Sequence, residues 1–154
     1  MHDLPRQLSA DVLAELFEGR TRLVLRLAER LDPLGDISAV LAEAPEDELI
    51  EALNAHPRIG AGPMSARAAH EQGDDVDPTV LDALVRLNRA YEDRFGFRCV
   101  VFVNGRRRAV IARVLEERLG RTRAEELRTG VHDLVAIARA RYRAHRAAGG
   151  EAGA

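Results

Sequence analysis

His56, Glu71, Gln72 and Arg141 are the side chains of this sequence whose types could together move a proton and hold an anion. An imidazole titrates nearest neutral pH, and a carboxylate beside it can share acid and base work. Pro57 biases His56 away from helical backbone and so sets its imidazole at a loop junction, a common place for chemistry. Taken alone, His56 also reads as a satisfied structural histidine. Glu71 and Gln72 stand just before Gly73 and by themselves read as the solvated end of a helix. Arg141 follows Leu134 and Ala138 at helical spacing, which turns it toward an apolar stripe. A guanidinium there needs a protein carboxylate, an anionic ligand, or a stem that snorkels out to water.

Other chemistries lack their residues. All 23 basic side chains are Arg and none is Lys, so neither a Schiff base nor a P-loop lysine is available. Cys99 is the single cysteine, which removes internal disulfides and multi-thiolate metal sites and fits a reducing cytoplasm. His70 adjoins Glu71, but no i, i+4 histidine pair or thiolate accompanies them, so no metal site is expected. Ser9, Ser38 and Ser65 lie outside any G-x-S-x-G elbow, and Cys99 sits in an apolar run where a thiol is inert. With 23 basic and 25 acidic residues the net charge is −2, which gives no global field for nucleic acid or anionic lipid. Arg106 to Arg108 read as a solvated loop. No apolar run is long enough for a signal peptide or a membrane span, so a soluble cytoplasmic protein is expected.

The elements that must carry these residues are helical. At 154 residues, 46% hydrophobic and 31% charged, the chain predicts one globular domain, ordered over about 8–146 with a frayed tail at 147–154. Ser9 caps a first helix with Leu13, Leu16 and Phe17 inside. A second helix runs from Thr21 to Leu31, a third from Ser38 to Glu43, and a fourth starts at Pro45 and ends at His56. Ser65 can cap a segment reaching Gln72. Asp77 and Pro78 open a long helix with the stripe Leu81, Leu84, Val85, Asn88, Tyr91 and Phe95, stopped by Gly96. Phe97 to Val103 is β-branched and aromatic, then turns at Asn104 and Gly105. Val110 to Leu119 is a further helix, and the Thr122/Glu125 capping box opens the last. The expected fold is an all-α bundle of about seven helices with one extended connector near 97–103, since a single strand cannot make a sheet.

Several pieces in this order resemble one family. Ala55-His56-Pro57-Arg58-Ile59-Gly60, then Glu71-Gln72, Leu87-Asn88 with Tyr91, Phe95-Gly96-Phe97, and Ile137-Ala138 with Arg141 are similar to the 2-oxo-4-hydroxy-4-carboxy-5-ureidoimidazoline (OHCU) decarboxylases of urate breakdown. The resemblance runs from about Leu8 to Arg146. It implies an all-α, homodimeric, cofactor-free enzyme that releases carbon dioxide and yields S-allantoin. Carried over by position, it implies His56 as catalytic acid/base, Glu71 beside it and Arg141 as the substrate-binding cation. Gln72 matches the ligand-binding amide, Pro57 lies at the site through its backbone, and the main chain of Cys99, Val100, Val101, Phe102 and Val103 contacts the heterocycle. Ala68 stands where family members commonly carry Ser, so one substrate hydrogen bond is absent or comes from elsewhere, as from Ser65. Cys99 to Val101 are also less bulky than the usual sequence. These departures leave a second expectation open, a non-catalytic helical module that binds a small ligand or a partner on the same scaffold.

Overall fold

A computed structural model describes residues 7–59 and 77–153, with side chains as far as Ala147. Among the described residues there are seven helices and no strand: α1 (Ala10–Phe17), α2 (Arg22–Ala28), α3 (Ile37–Glu43), α4 (Glu46–Asn54), α5 (Pro78–Phe95), α6 (Arg108–Leu119) and α7 (Arg123–Gly153). The all-α expectation holds. Two compact units emerge, Met1–Ala55 with Val135–Ala154, and His56–Leu134.

In the first unit, local signals set the helix starts. Ser9 Oγ accepts from Val12 N at 3.2 Å and Thr21 Oγ1 from Val24 N at 3.3 Å, each satisfying an N–H that a helix leaves unpaired. Leu13, Leu16 and Phe17 of α1 bury with Leu23, Val24 and Leu27 of α2, and α2 also packs on α3 and α4. α2 stops at Ala28, short of the expected Leu31, whose side chain is 65% exposed. The chain turns before that residue can reach the core. Glu48 of α4 is buried and held by Arg26 of α2 through contacts of 2.5 and 3.0 Å. This two-pronged ion pair ties the two helices and keeps the Glu48 carboxyl below its usual range.

The second unit is organised by α5. Asp77 Oδ1 accepts from Thr79 N at 2.9 Å with Pro78 in the first turn, and Gly96 ends the helix at φ 81°, a backbone state glycine adopts without strain. Leu84, Asn88, Tyr91 and Phe95 form the buried face, but Val85, expected on it, is 48% exposed. Tyr91, Phe95 and Phe97 cluster with ring centroids 4.6 to 6.2 Å apart. α6 packs against α5, and it begins at Arg108, a residue expected in a solvated loop and found buried. The capping box at the start of α7 is complete: Glu125 N donates to Thr122 Oγ1 at 3.1 Å and Thr122 N to Glu125 Oε1 at 3.0 Å. α7 continues through the Ala147 region, where fraying was expected, to Gly153.

Candidate active site

His56 ends the turn that follows α4 and is only 5% exposed. The next residues are pinned from two directions. Arg98 Nη1 donates to His56 O at 2.9 Å, Asn88 Nδ2 donates to Ile59 O at 2.8 Å, and Arg58 forms a forked pair with Glu92 at 2.6 and 2.9 Å. The His56-Pro57-Arg58-Ile59 segment is therefore clamped by α5 and by the start of the connector. Three polar anchors within four residues fix the backbone that carries the imidazole, and they act without using the imidazole itself. A cavity of about 330 Å³ opens beside this clamp; its described walls are Arg58, Ile59, Val85, Asn88, Arg89, Glu92 and Asp93.

Arg58 is the first cause that holds the Glu92 carboxyl below its usual range. A carboxyl favoured as the anion when folded stabilises the fold above the ordinary carboxylate range, and that contribution disappears as pH falls through the folded value. Arg58 is half exposed, so solvent screening limits the pair to about 0.5 kcal/mol. Glu92→Gln should therefore be less stable than the parent at pH 7 and indistinguishable from it near pH 3. Urea denaturation at the two pH values checks this, and an equal difference at both would refute it.

The connector runs from Phe97 to Val103 without helix or ladder, as expected of an extended segment alone in a helical unit. It closes at Asn104 and Gly105, both with positive φ (49° and 79°), and Arg106 N donates to Val103 O at 3.0 Å across that turn. Phe97, Cys99, Val100, Val101 and Val103 are buried, and a buried peptide group needs a hydrogen-bond partner. Arg118 Nη1 donates to Val100 O at 2.9 Å, Asp133 Oδ2 accepts from Phe102 N at 3.0 Å, and Arg106 Nη2 donates to Phe102 O at 2.6 Å. Behind these contacts, buried Glu126 accepts from Arg118 Nε and from Tyr91 Oη, both at 2.6 Å, and from Arg121 Nη1 at 2.9 Å.

Burial pushes the Cys99 thiol up to about 12, so it is not a nucleophile at neutral pH. At pH 8 an ordinary thiol is roughly one-quarter thiolate, whereas one at that value is ionised in about one molecule in 10⁴. A disulfide thiol reagent should react with the native protein at least about 100-fold more slowly than with the urea-unfolded chain. Equal rates would show that Cys99 is open.

In the first unit, Arg141 is 6% exposed, and of the three expected solutions it takes the protein carboxylate: its Nη2 lies 2.8 Å from Glu18 Oε1, and its Nη1 donates to Leu16 O at 3.1 Å. Glu18 caps α1 in the left-handed region at φ 63°, so the end of α1 and the guanidinium are fixed together. It is a braced cation rather than a snorkelling one. Glu71, Gln72, Ala68 and Ser65 lie outside the described residues. Among the residues expected at the site, His56 and the connector belong to one unit and are joined through Arg98, next to Cys99; Arg141 belongs to the other unit.

Sequence reasoning missed Arg98, Glu92, Arg118, Glu126 and Asp133. One signal was available for Arg118, which follows Ile111 and Leu115 on the buried stripe of α6. Asn88 likewise interrupts an apolar stripe. Among the described residues no group of three or more His, Cys, Asp or Glu is placed to hold a metal ion, and no helix is long and apolar enough to cross a membrane.

Known proteins share these features to different extents. The chain is similar to the 2-oxo-4-hydroxy-4-carboxy-5-ureidoimidazoline decarboxylase of Halalkalicoccus jeotgali, at 28% identity over 101 residues that cover 62% of this chain and 57% of that protein. The protein of the same name from Haloferax volcanii is also 28% identical, over 104 residues, 64% of this chain and 62% of that one. This chain thus spans less than two thirds of either relative's length. A crystal structure of an OHCU decarboxylase in the presence of (S)-allantoin has the same fold, with a TM-score of 0.72 at 19% identity, covering 84% of this chain and 94% of that one. The family model described as OHCU decarboxylase matches residues 2–143, nearly the whole sequence, and this chain belongs to that family.

Proposed function

We propose that this protein decarboxylates 2-oxo-4-hydroxy-4-carboxy-5-ureidoimidazoline to S-allantoin without a cofactor, as a homodimer in the cytoplasm. The observation that carries the reading is the family match over residues 2–143, joined to a buried His56 on a clamped segment. The same fold crystallised in the presence of (S)-allantoin supports the assignment of product.

The chemistry needs little from the protein. When the bond to the carboxylate breaks, carbon dioxide leaves and the electron pair stays on the ring carbon, where the adjacent C=N bond of the substrate accepts it. A proton then adds to one face. The protein must orient the ring, strip water from the carboxylate and control that proton. In this reading His56 and Glu71 share the proton work, Arg141 holds an anionic or carbonyl edge, and Gln72, the Pro57 backbone and the main chain of Cys99 to Val103 position the heterocycle. Arg141 already engages Glu18, which moderates its pull on the departing carboxylate. A cation that bound ground state and transition state equally would not speed the reaction.

The test is carbon dioxide release from freshly generated substrate with and without the protein. Accelerated release supports the enzyme. Binding of a stable substrate analogue with no acceleration would support a non-catalytic module instead, the reading that Ala68 in place of Ser favours.

A further inference from the structure

At Val100 and Phe102 the connector is held by side chains outside the set assigned to the substrate, and its last carbonyl, Val103 O, accepts from Arg106 N and Nε, both at 3.0 Å. Val100 O and Phe102 N are two residues apart and engage Arg118 and Asp133, whose Nη1 and Oδ2 are themselves 3.8 Å apart. Phe102 O faces the same way onto Arg106. In an extended backbone successive residues present their N–H and C=O groups to opposite edges. The edge carrying Val100 and Phe102 is consumed by side chains of α6, α7 and the following turn, which leaves the groups of Val101 for the other edge.

The geometry points to Arg118 and Asp133 as positioning residues that hold the connector in register, so that the main-chain N–H and C=O of Val101 are presented to the heterocycle. This inference rests on the function proposed above. Both anchors are well built for the task. Arg118 is buried, paired to Glu126 through Nε while Nη1 reaches Val100 O, and its guanidinium carbon lies 5.7 Å from the Tyr91 ring centroid. Its position is therefore set independently of the connector. Asp133 stands on α7, and its carboxylate makes a charge-assisted bond to one peptide N–H. A register slip of one residue would exchange the two edges and turn Val101 inward.

Asp133→Ala tests this in the intact protein. KM should rise about tenfold with kcat changed less than threefold, affinity for (S)-allantoin measured by calorimetry should fall in parallel, and Asp133→Asn, which still offers an oxygen to Phe102 N, should restore both to within about twofold. Arg118→Lys keeps a cation beside Glu126 but loses the planar fork, and should show the same KM-weighted loss if Asp133→Ala fails to fold. An active parent whose variants lose only thermal stability, with KM and allantoin affinity unchanged, would overturn the positioning role. A parent that does not accelerate decarboxylation would instead overturn the function on which it rests.

Discussion

Replacing His56 with Asn lowers turnover of the ureidoimidazoline by about 10²- to 10⁴-fold, the range for loss of a general acid or base. The fold should survive. The anchors of this segment are Arg98 on the His56 carbonyl, Asn88 on the Ile59 carbonyl and Arg58 on Glu92, and none of them uses the imidazole. The amide is smaller than the imidazole but still polar and able to hydrogen-bond, and it does not titrate near neutral pH. The effect should therefore fall on kcat, with the circular dichroism spectrum and the unfolding midpoint close to those of the parent. A variant with more than a tenth of parental turnover would remove His56 from the chemistry. Loss of both activity and fold would mark it as a structural histidine.

The largest loss of stability is expected from Glu126→Ala. Glu126 is fully buried, and its two oxygens accept from Tyr91, Arg118 and Arg121. Its removal leaves the buried Arg118 guanidinium with the Val100 carbonyl and a carboxylate 3.8 Å away, and takes the acceptor from the Tyr91 hydroxyl. Breaking a buried pair from one side costs about 3–5 kcal/mol, because the remaining charge is stranded in a medium that solvates it poorly. For a chain of this length that corresponds to a melting midpoint lower by on the order of 10 °C. Glu126→Gln should fall between parent and Ala, since it keeps the shape and an acceptor but loses the charge. Calorimetry checks the order, and a loss below about 1 kcal/mol for Ala would show that Arg118 finds its anion elsewhere.

Helix starts were legible because their causes are local. Ser9, Asp77 with Pro78, and Thr122 with Glu125 each satisfy N–H groups within a few residues, and Thr21, where the second helix was expected to begin, caps it in the same way. The turn at Asn104 and Gly105 was readable for the same reason. Burial was less so. Leu31 and Val85 fit the periodic pattern but face solvent: α2 ends before Leu31, and on α5 a stripe drawn from spacing is wider than the surface a neighbouring helix covers. Arg108 and Arg118 are buried in α6 against the usual behaviour of arginine. Arg118 is held there by Glu126, a tertiary partner that sequence spacing does not identify. Arg141 shows the intermediate case: periodicity left a protein carboxylate, an anionic ligand and a snorkelling stem open, and only the fold identified Glu18.

Product chirality decides whether this protein is a stereoselective decarboxylase. Substrate generated in place and followed by circular dichroism should give, with the protein present, a signal of S-allantoin that forms faster than the spontaneous decay and scales with protein concentration. A rate and an optical signal identical to the uncatalysed reaction would show that the protein does not catalyse it.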